Sequence, residues 1–200
     1  MWYRLFVFII FLLFLPIHVF LACLVLLTSG LPVYYRQKRT GQNGKPFFLW
    51  KFRTMVVNAS ALQREYAKLN EADGPVFKIH NDPRFTPLGK FLAHTGLDEL
   101  PQLVNVIRGE MALIGPRPLP VGEAKKLTSW QKKRESILPG IISPWILEGY
   151  HSQTFDAWMK SDIDYSKKKS FKTDSKIFFQ TIKFMINLFI LETRDKSILS

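Results

Sequence analysis

The strongest constraint on the fold is an apolar run near the N-terminus. Residues 5–27 read LFVFIIFLLFLPIHVFLACLVLL and contain no charged residue. As one helix this run would be about 35 Å long, enough to cross a hydrocarbon core of about 30 Å. It is too long for the apolar part of a cleaved signal peptide, and RQKR lies where small residues would precede a cleavage site. The sequence therefore predicts a membrane segment that is retained.

Pro16 lies near the middle of this run and leaves two topologies open. A proline offers no N–H to the carbonyl of Leu12, so the helix is expected to kink or break there. Each half would cover only about half of the hydrocarbon core. Basic residues stand on both sides, Arg4 before the run and a cluster at 36–39 after it, and both ends therefore favour the cytoplasm. A re-entrant pair of half-helices and a kinked spanning helix both fit.

Net charge limits the class of partner. Lys and Arg total 28 against 16 for Asp and Glu, which gives a formal charge of +12. The expected partner is an anion: nucleic acid, lipid headgroups or a phosphorylated small molecule. The single cysteine, Cys23, excludes an intramolecular disulfide and a zinc site built on cysteines.

The chain divides into a membrane anchor over 1–30 and a basic domain over 31–200. Two strands over 32–35 and 47–52, joined by a loop with Gly41 and Gly44, predict a hairpin. Short helices are expected over 58–70 and 123–136; the second is a basic helix that faces either solvent or headgroups. Residues 174–192 predict an apolar helix with one narrow polar stripe, either docked on the domain or lying in a membrane interface.

Two adjacent carboxylates, Asp98 and Glu99, stand out in the stretch LDELPQL. Pro101 suits a first helical turn, so a helix is expected to begin close to Asp98. Its positive end would stabilise both carboxylates as anions, which suits a nucleophile or a metal ligand. Side chains of adjacent helical residues point about 100° apart, so two separate roles are expected. Helix capping is the alternative, and for a bare Asp-Glu pair it is the stronger one.

Cations in other segments favour the functional interpretation. In IGPRP, two prolines fix the backbone around Arg117, whose planar fork suits bidentate phosphate binding. Lys51 and Arg53 occupy alternate positions of KFRTM, on one face of a strand. Arg84 follows in NDPR. Together with the carboxylate pair, these residues are typical of a site that processes phosphate-bearing substrates.

The motifs resemble those of the bacterial sugar transferases, the monotopic polyprenol-phosphate phosphoglycosyl transferases. The similarity rests on PVYYRQKRTGQNGKPFFLWKFRTM, NDPRFTPLGKFL, LDELPQLVNVIRGEMALIGPRPL and PGI, with the proline-interrupted apolar segment. It implies an α+β fold: a re-entrant membrane helix-break-helix and a small, mostly helical cytoplasmic catalytic domain with a short β-hairpin and interfacial amphipathic helices. It also implies a location at the bacterial inner membrane, with the catalytic domain on the cytoplasmic face.

The resemblance implies a reaction and a set of partners. A sugar 1-phosphate would pass from a nucleotide diphosphate sugar, with a UDP-sugar as the expected donor, to polyprenol phosphate, through a phosphosugar-aspartate. This step would initiate assembly of an O-antigen, capsule, exopolysaccharide or glycoprotein glycan. Mg²⁺ is the implied cofactor, membrane lipids are further partners, and nucleic acid is not expected. The sequence predicts neither the sugar nor the oligomeric state.

Residue roles carry over by position. Asp98 matches the family's nucleophile, Glu99 the glutamate associated with Mg²⁺, and Arg117 the phosphate-binding arginine. The basic residues Lys51, Arg53 and Arg84 match further basic positions of the family's motifs. Asp162 matches an acidic position and is expected to orient a site cation. Pro16 matches the helix break.

Several positions depart from the family pattern. Leu15 replaces the serine that usually precedes the helix-breaking proline, and His18 is a candidate substitute for its hydroxyl. Val7 replaces an acidic residue, and AHTG replaces a basic, serine-containing stretch before the dyad.

The largest departure follows Pro139-Gly140, where this chain reads IISPWILEGYH and the family has a more polar stretch. The family's polar positions are occupied here by Ile142, Ser143, Ile146 and Tyr150. Either this loop alters the choice of nucleotide sugar, or Trp145 and the isoleucines pack against the membrane face. The rival interpretation of the whole chain is a non-enzymatic or catalytically lapsed membrane-anchored module that binds anionic lipid.

Overall fold

A computed structural model describes residues 2–148 and 154–194. The described α-helices are α1 (Trp2–Ser29), α2 (Ala59–Leu62), α3 (Pro87–Thr95), α4 (Leu103–Arg108), α5 (Val121–Ala124), α6 (Phe155–Lys168) and α7 (Phe171–Arg194). The strands are β1 (Tyr34–Thr40), β2 (Pro46–Phe52), β3 (Ala112–Ile114) and β4 (Gly140–Ile142). Short 3₁₀ segments cover Gln42–Gly44, Ala67–Leu69, Leu97–Gln102, Gln131–Ser136 and Pro144–Glu148. The predicted α+β class is confirmed.

The predicted hairpin is confirmed, with a longer first strand. β1 and β2 pair antiparallel, from Tyr34 opposite Phe52 to Thr40 opposite Pro46. The turn between them uses left-handed backbone at Asn43 and Gly44, with φ of 54° and 75°. Asparagine and glycine are the residues that adopt this conformation most readily. The hairpin fixes the face of β2 that reaches the site described below.

A second sheet pairs β3 with β4 in parallel, with Ala112 opposite Gly140 and Ile114 opposite Ile142. The two chain segments approach closely just beyond β3. A Cβ atom placed on Gly140 would lie 2.0 Å from the Gly115 nitrogen. Only glycine fits at this crossing, which brings the IGPRP segment next to the start of β4.

α1 is one continuous helix that includes Pro16, and it is long and apolar enough to cross a membrane by length and composition. The predicted division into two half-helices is therefore not seen in the secondary structure. A proline removes only its own hydrogen bond, and the ladder continues on either side. His18 donates to or accepts from the Tyr34 hydroxyl at 2.9 Å, so its polar partner is on β1.

Both halves of α1 contact the rest of the domain. Val7 packs in one core cluster with residues of β2 and α4, including Leu49 and Val106. Leu21 and Val25, about one and a half and two and a half turns beyond Pro16, pack in another with Phe52. The side of α1 that faces away from the domain is apolar and exposed: Trp2, Leu5, Phe6, Phe8, Ile9, Leu12, Leu13, Phe14, Leu15, Ile17, Val19, Phe20, Leu26 and Leu27.

α7 confirms the predicted C-terminal helix and combines features of both expected environments. One side docks on the domain, where Ile177 is buried and Phe189 contacts Phe91 of α3. Other positions are apolar and exposed: Phe178, Phe179, Ile182, Ile186, Ile190 and Leu191. The helix therefore covers part of the domain and leaves an apolar surface uncovered.

Two predicted helices are shorter than expected. The polar helix over 58–70 is reduced to α2 and one 3₁₀ turn, and Asn58 makes no side-chain cap. The basic helix over 123–136 is divided into α5 and the segment Gln131–Ser136. Between them, the Gln131 side chain accepts a hydrogen bond from the Thr128 N–H at 2.8 Å, so Thr128 caps the start of a new segment and does not continue α5. The second segment is only in part a solvated face: Lys132 and Lys133 are exposed, whereas Arg134 is only 3% exposed.

The divergent stretch after Gly140 packs inward as far as it is described. Ile142 contacts the core cluster of Ile114 and Tyr165, and Trp145 is buried and stacks on Trp158. Tyr150 lies outside the described residues. A polar residue at Ile142 would therefore disturb the core before it contacted a substrate.

Candidate active site

The carboxylate pair lies at the start of a 3₁₀ segment between two helices. Gly96 ends α3 with a left-handed φ of 69° and turns the chain into Leu97–Gln102. Asp98 and Glu99 occupy the first turn of this segment, and Asp98 is only 5% exposed. The predicted helix start is confirmed, although the first turns are 3₁₀ and the α-helix begins at Leu103. β2 packs against this segment and supplies the nearest cation.

Lys51 of β2 joins the two carboxylates. Its Nζ donates to Asp98 Oδ2 at 3.0 Å and to Glu99 Oε1 at 2.7 Å. The same Glu99 oxygen accepts from Arg117 Nη1 at 3.0 Å. Both adjacent carboxylates thus reach one ammonium group, and the expectation that they have two separate roles stays a prediction. Their difference lies in their partners: Glu99 contacts two cations and Asp98 contacts one.

This difference in partners separates the two carboxylates electrostatically. Burial opposes ionisation of Glu99, but attraction by Lys51 and Arg117 outweighs it and lowers its pKa to about 2. Burial raises the pKa of Asp98, and the negative charge of Glu99 adds to this effect against the attraction of Lys51. Glu99 is thus stabilised as an anion, as predicted for both carboxylates, whereas the raised pKa of Asp98 departs from that prediction. Asp98 is the more basic carboxylate and, when ionised, the better nucleophile.

Arg117 extends from a loop that is fixed along its backbone. Four consecutive carbonyls, those of residues 116–119, accept hydrogen bonds from other segments. Their donors, in order, are Gly140 N at 3.0 Å, Arg134 Nη2 at 2.7 Å, Arg39 Nη1 at 3.0 Å and Thr40 N at 2.9 Å. The prolines that flank Arg117 remove two backbone donors, and these contacts hold the loop from both sides.

A small open pocket lies beside Glu99 and collects the site's cations. It is lined by Arg39, Leu49, Lys51, Glu99, Gln102, Arg117, Pro118 and Gly140. Burial and the nearby charge of Arg117 lower the pKa of Arg39 to about 10. Its Nε is buried and has no hydrogen-bond partner among the described residues. The pocket therefore places three cations next to one paired carboxylate, an arrangement suited to a substrate that brings several negative charges.

Arg39 was missed by the sequence interpretation. The signal was available in the hairpin register, since Arg39 lies opposite Phe47 and hence on the face that carries Leu49 and Lys51. Only the exact turn length fixes this register, and the predicted first strand ended at residue 35.

The structure brings together four of the predicted site residues: Lys51, Asp98, Glu99 and Arg117. Asp162 is connected to them indirectly, because its partner is Arg134, which holds the Arg117 carbonyl. Its predicted role of orienting a site cation stays a prediction, since Arg134 itself does not line the pocket.

Arg53 and Arg84 are not part of this cluster. Arg53 follows the last residue of β2 and donates to the carbonyls of Ser29, Gly30 and Leu31 at the end of α1. Arg84 donates to Asp82 and to the Ala59 carbonyl. Strand alternation predicted that Lys51 and Arg53 would lie on one face. The prediction does not hold for Arg53, because β2 ends at Phe52, between the two residues.

The carboxylate pair fits the implied Mg²⁺ ion. Mg²⁺ is usually held in proteins by one or two carboxylates together with substrate phosphates and water. Asp98 and Glu99 each use a single oxygen for their contacts with Lys51 and Arg117, which leaves Oδ1 and Oε2. Among residues 2–148 and 154–194, no group of three His, Cys, Asp or Glu side chains is placed to hold an ion. A metal here would therefore depend on oxygens of the substrate.

Comparison with known proteins identifies the class. The chain belongs to the bacterial sugar transferase family, which matches residues 3–188, and the predicted family is confirmed. It is 40% identical over 159 residues to the galactosyl transferase CpsE of Streptococcus agalactiae serotype III, covering 79% of this chain and 35% of CpsE. It is 35% identical over 175 residues to the exopolysaccharide production protein ExoY of Rhizobium meliloti, covering 86% of this chain and 77% of ExoY.

A third relative has a more explicit name. The UDP-glucose:undecaprenyl-phosphate glucose-1-phosphate transferase of Escherichia coli K12 is 36% identical over 176 residues, covering 84% of this chain and 35% of that protein. The chain thus spans about a third of the length of CpsE and of the Escherichia coli protein, and about three quarters of ExoY.

Proposed function

We propose that this chain transfers a sugar 1-phosphate from a nucleotide diphosphate sugar, with a UDP-sugar as the expected donor, to polyprenol phosphate. The observation that carries the proposal is the convergence of the buried Asp98 and the partly buried Glu99 on Lys51, with Arg117 extending from a fixed loop. The names of the relatives support both substrates, since one is a UDP-glucose:undecaprenyl-phosphate glucose-1-phosphate transferase. The product would be polyprenol-diphosphate-sugar, the first intermediate in assembly of a surface glycan.

The reaction proceeds by two displacements at one phosphorus atom. A carboxylate oxygen of Asp98 attacks the phosphorus that bears the sugar, and the bond from this phosphorus to the nucleoside monophosphate breaks. A phosphate oxygen of polyprenol phosphate then attacks the same phosphorus. The bond to Asp98 breaks, and the carboxylate is regenerated. No net proton transfer is required.

Cations of the pocket neutralise the substrates. Lys51 and Arg117 already balance Glu99, and both can contact phosphate oxygens as these enter. Lys51 also holds Asp98 in its buried position. Mg²⁺, held by Glu99 and the free oxygen of Asp98, would supply further charge neutralisation on the diphosphate. We expect Glu99→Gln to weaken the Mg²⁺ dependence of the rate.

Contacts at both ends of α1 support a proposal for its arrangement in the membrane. The Tyr3 hydroxyl accepts a hydrogen bond from the Leu113 N–H at 2.8 Å, and Arg53 holds the Ser29 carbonyl at the other end. One domain thus contacts both ends of the helix. A straight spanning helix would separate these ends by the whole bilayer. These contacts support an anchor whose two ends lie on one face of the membrane, as the re-entrant prediction requires, although the helix itself is continuous. The catalytic domain would then lie on the cytoplasmic face of the bacterial inner membrane.

A topology experiment tests this arrangement. Tags at the two termini should both be shielded from a reagent that cannot cross the inner membrane. Opposite accessibility would establish a spanning helix. Replacing Pro16 with Leu restores the hydrogen bond to Leu12 and should shift some molecules to the spanning orientation.

The activity is tested with the purified full chain in detergent. It is incubated with Mg²⁺, polyprenol phosphate and a panel of nucleotide sugars, and nucleoside monophosphate release is measured. We expect release with at least one UDP-sugar and formation of a polyprenol-diphosphate-sugar. Binding of anionic vesicles without release from any nucleotide sugar would favour the non-enzymatic lipid-binding module instead.

A further inference from the structure

The loop that carries Arg117 is held by a second arginine that lies outside the pocket. Arg134 Nη2 donates to the Arg117 carbonyl at 2.7 Å. The side chain of Arg117 extends from the same residue and reaches Glu99 at 3.0 Å. Any movement of that carbonyl would therefore move the guanidinium that contacts the dyad.

Arg134 is itself fixed in place. Its side chain is 3% exposed, and its Nε donates to Oδ2 of Asp162 at 2.8 Å, with Nη2 donating to the same oxygen. Asp162 of α6 is fully buried. The Arg134 guanidinium also lies 5.6 Å from the centre of the Trp158 ring. A planar fork held on three sides has little freedom, so it defines the position of the carbonyl it contacts.

We propose that Arg134 is a positioning residue, which acts on the reaction through the backbone of Arg117, with Asp162 as its anchor. This inference rests on the proposed function, because Arg117 is assigned there to the substrate phosphates. It connects α6 and the segment Gln131–Ser136 to the site, although neither contributes a residue to the pocket lining. Sequence reasoning treated residues 123–136 as a surface helix and did not find this role.

The alternative is that the pair only stabilises the fold. A single substitution would not separate the two, because loss of Arg134 alone leaves the buried Asp162 charge without compensation. The test therefore uses the paired variant R134M/D162N, which removes the donor to Arg117 and both charges together. It is compared with R117A and with the combined triple variant in a double-mutant cycle.

The cycle distinguishes action through Arg117 from action elsewhere. Using nucleoside monophosphate release by the full chain, we expect R134M/D162N to lower kcat/KM by on the order of 10²-fold when Arg117 is present. In the R117A background the same two changes should lower it by no more than about twofold. An equal loss in both backgrounds would overturn the proposal, as would full activity of R134M/D162N, which would mean that Arg39 and Gly140 suffice to hold the loop.

A matched control comes from the second buried pair, Arg84 and Asp82. R84M/D82N removes the same charges and one bond to a carbonyl, but this carbonyl belongs to Ala59. Its effect should be the same factor in both Arg117 backgrounds, within about twofold. Rescue is tested with R134K, which keeps the charge and one donor and should recover part of the loss caused by R134M.

A binding measurement keeps the inference separate from the proposed function. Titration of the full chain with inorganic pyrophosphate, followed by calorimetry, reports on Arg117 without any turnover. We expect R134M/D162N to weaken binding on the order of tenfold with Arg117 present and by no more than about twofold in R117A. If no nucleotide sugar is turned over, the proposed function fails and this cycle still decides the role of Arg134. Equal weakening in both backgrounds would overturn it.

Discussion

Two buried arginine–aspartate pairs lie in different regions of the molecule and share nearly every type of contact. Arg134 donates to Asp162 and to one carbonyl, and its guanidinium lies 5.6 Å from the centre of the Trp158 ring. Arg84 donates to both oxygens of Asp82 and to one carbonyl, and lies 5.2 Å from the centre of the Phe77 ring. The pairs differ in the carbonyl they hold and in the separation of their partners along the chain.

With the positioning role proposed for Arg134, this difference implies that location, and not the chemistry of the pair, distinguishes the two arginines. Arg84 and Asp82 are two residues apart, so their pair organises its own turn. Arg134 and Asp162 are 28 residues apart and join two segments behind the Arg117 loop. Both pairs should therefore matter for stability, but only the second is connected to the dyad.

The largest expected effect lies at the dyad and sets the scale for both arginine pairs. Asp98→Asn should lower turnover by at least about three orders of magnitude, because an amide cannot form the acyl phosphate. It should also abolish the sugar-phosphate adduct detected by intact-mass spectrometry. The melting temperature serves as the folding control. Turnover within tenfold of the unmodified chain would eliminate the nucleophilic role of Asp98.

The next prediction contrasts Arg117 with Arg84. Arg117→Ala should lower kcat by roughly 10²–10³-fold, the usual cost of one donor to a developing charge, with little change in melting temperature. Arg84→Gln should instead lower the melting temperature and leave kcat of the folded protein nearly unchanged. It leaves the buried Asp82 unpaired, and the free energy of unfolding should fall by about 3–5 kcal/mol.

Two measurements separate the effect on catalysis from the effect on stability. Activity assays normalised to the folded fraction give kcat, and denaturant titration gives the free energy of unfolding. A large fall in kcat for Arg84→Gln, with unfolding unchanged, would return Arg84 to the phosphate-binding role expected from its motif. It would also remove the contrast between the two buried pairs.

A third arginine that holds carbonyls extends the comparison to the membrane helix. Arg53 is 5% exposed and fixes the last residues of α1 against the domain. Arg53→Gln should lower the free energy of unfolding by roughly 1.5–3 kcal/mol for each hydrogen bond that the charged guanidinium makes. Hydrogen exchange around Gly30 should rise correspondingly. Arg36→Gln, on an exposed position of β1, is the matched control; equal exchange in both variants would show that Arg53 does not secure the helix.

Patterns along the sequence predicted those parts of the fold that depend on local preferences. Alternating residues and a glycine-containing loop were sufficient for the β1–β2 hairpin, and the apolar periodicity of α7 was sufficient for that helix. The polar segment near residue 130 does not continue α5, because the Thr128 N–H bonds to the Gln131 side chain and a new segment starts there. The segment near residue 60 forms only α2 and one 3₁₀ turn.

The candidate site was predictable where single residues carry the chemistry. Asp98, Glu99, Lys51 and Arg117 were all expected, and the structure places them together. Their mutual distances were not predictable, because these depend on how β2 packs against the 3₁₀ segment. The roles of Arg134 and Arg53 depend on backbone carbonyls from distant segments, and no sequence pattern marks a carbonyl as a partner.

The smallest expected effect concerns Lys78, a partly buried cation near Arg117. Burial and the charge of Arg117 lower its pKa to about 8 from 10.5, against an opposing effect of Glu71. Between pH 8 and pH 10.5 the unfolded chain binds more protons at Lys78 than the folded chain does. The contribution of Lys78 to the free energy of unfolding therefore rises with pH. Below pH 8 both states are protonated, and the full cost of burying the charge is present.

Lys78→Met removes the cost of burying this charge, whereas loss of Arg84 removes a stabilising ion pair. At pH 7 the variant should melt higher by roughly 2–4 °C, as for about 1 kcal/mol in a chain of this size. The advantage should shrink as pH rises from 8 towards 10, because the unmodified chain then sheds the buried proton. Melting curves of Lys78→Met and of Lys38→Met, an exposed position on β1, measured across this range provide the comparison. A constant advantage through pH 10 would mean that the added apolar group, and not the removed charge, stabilises the variant.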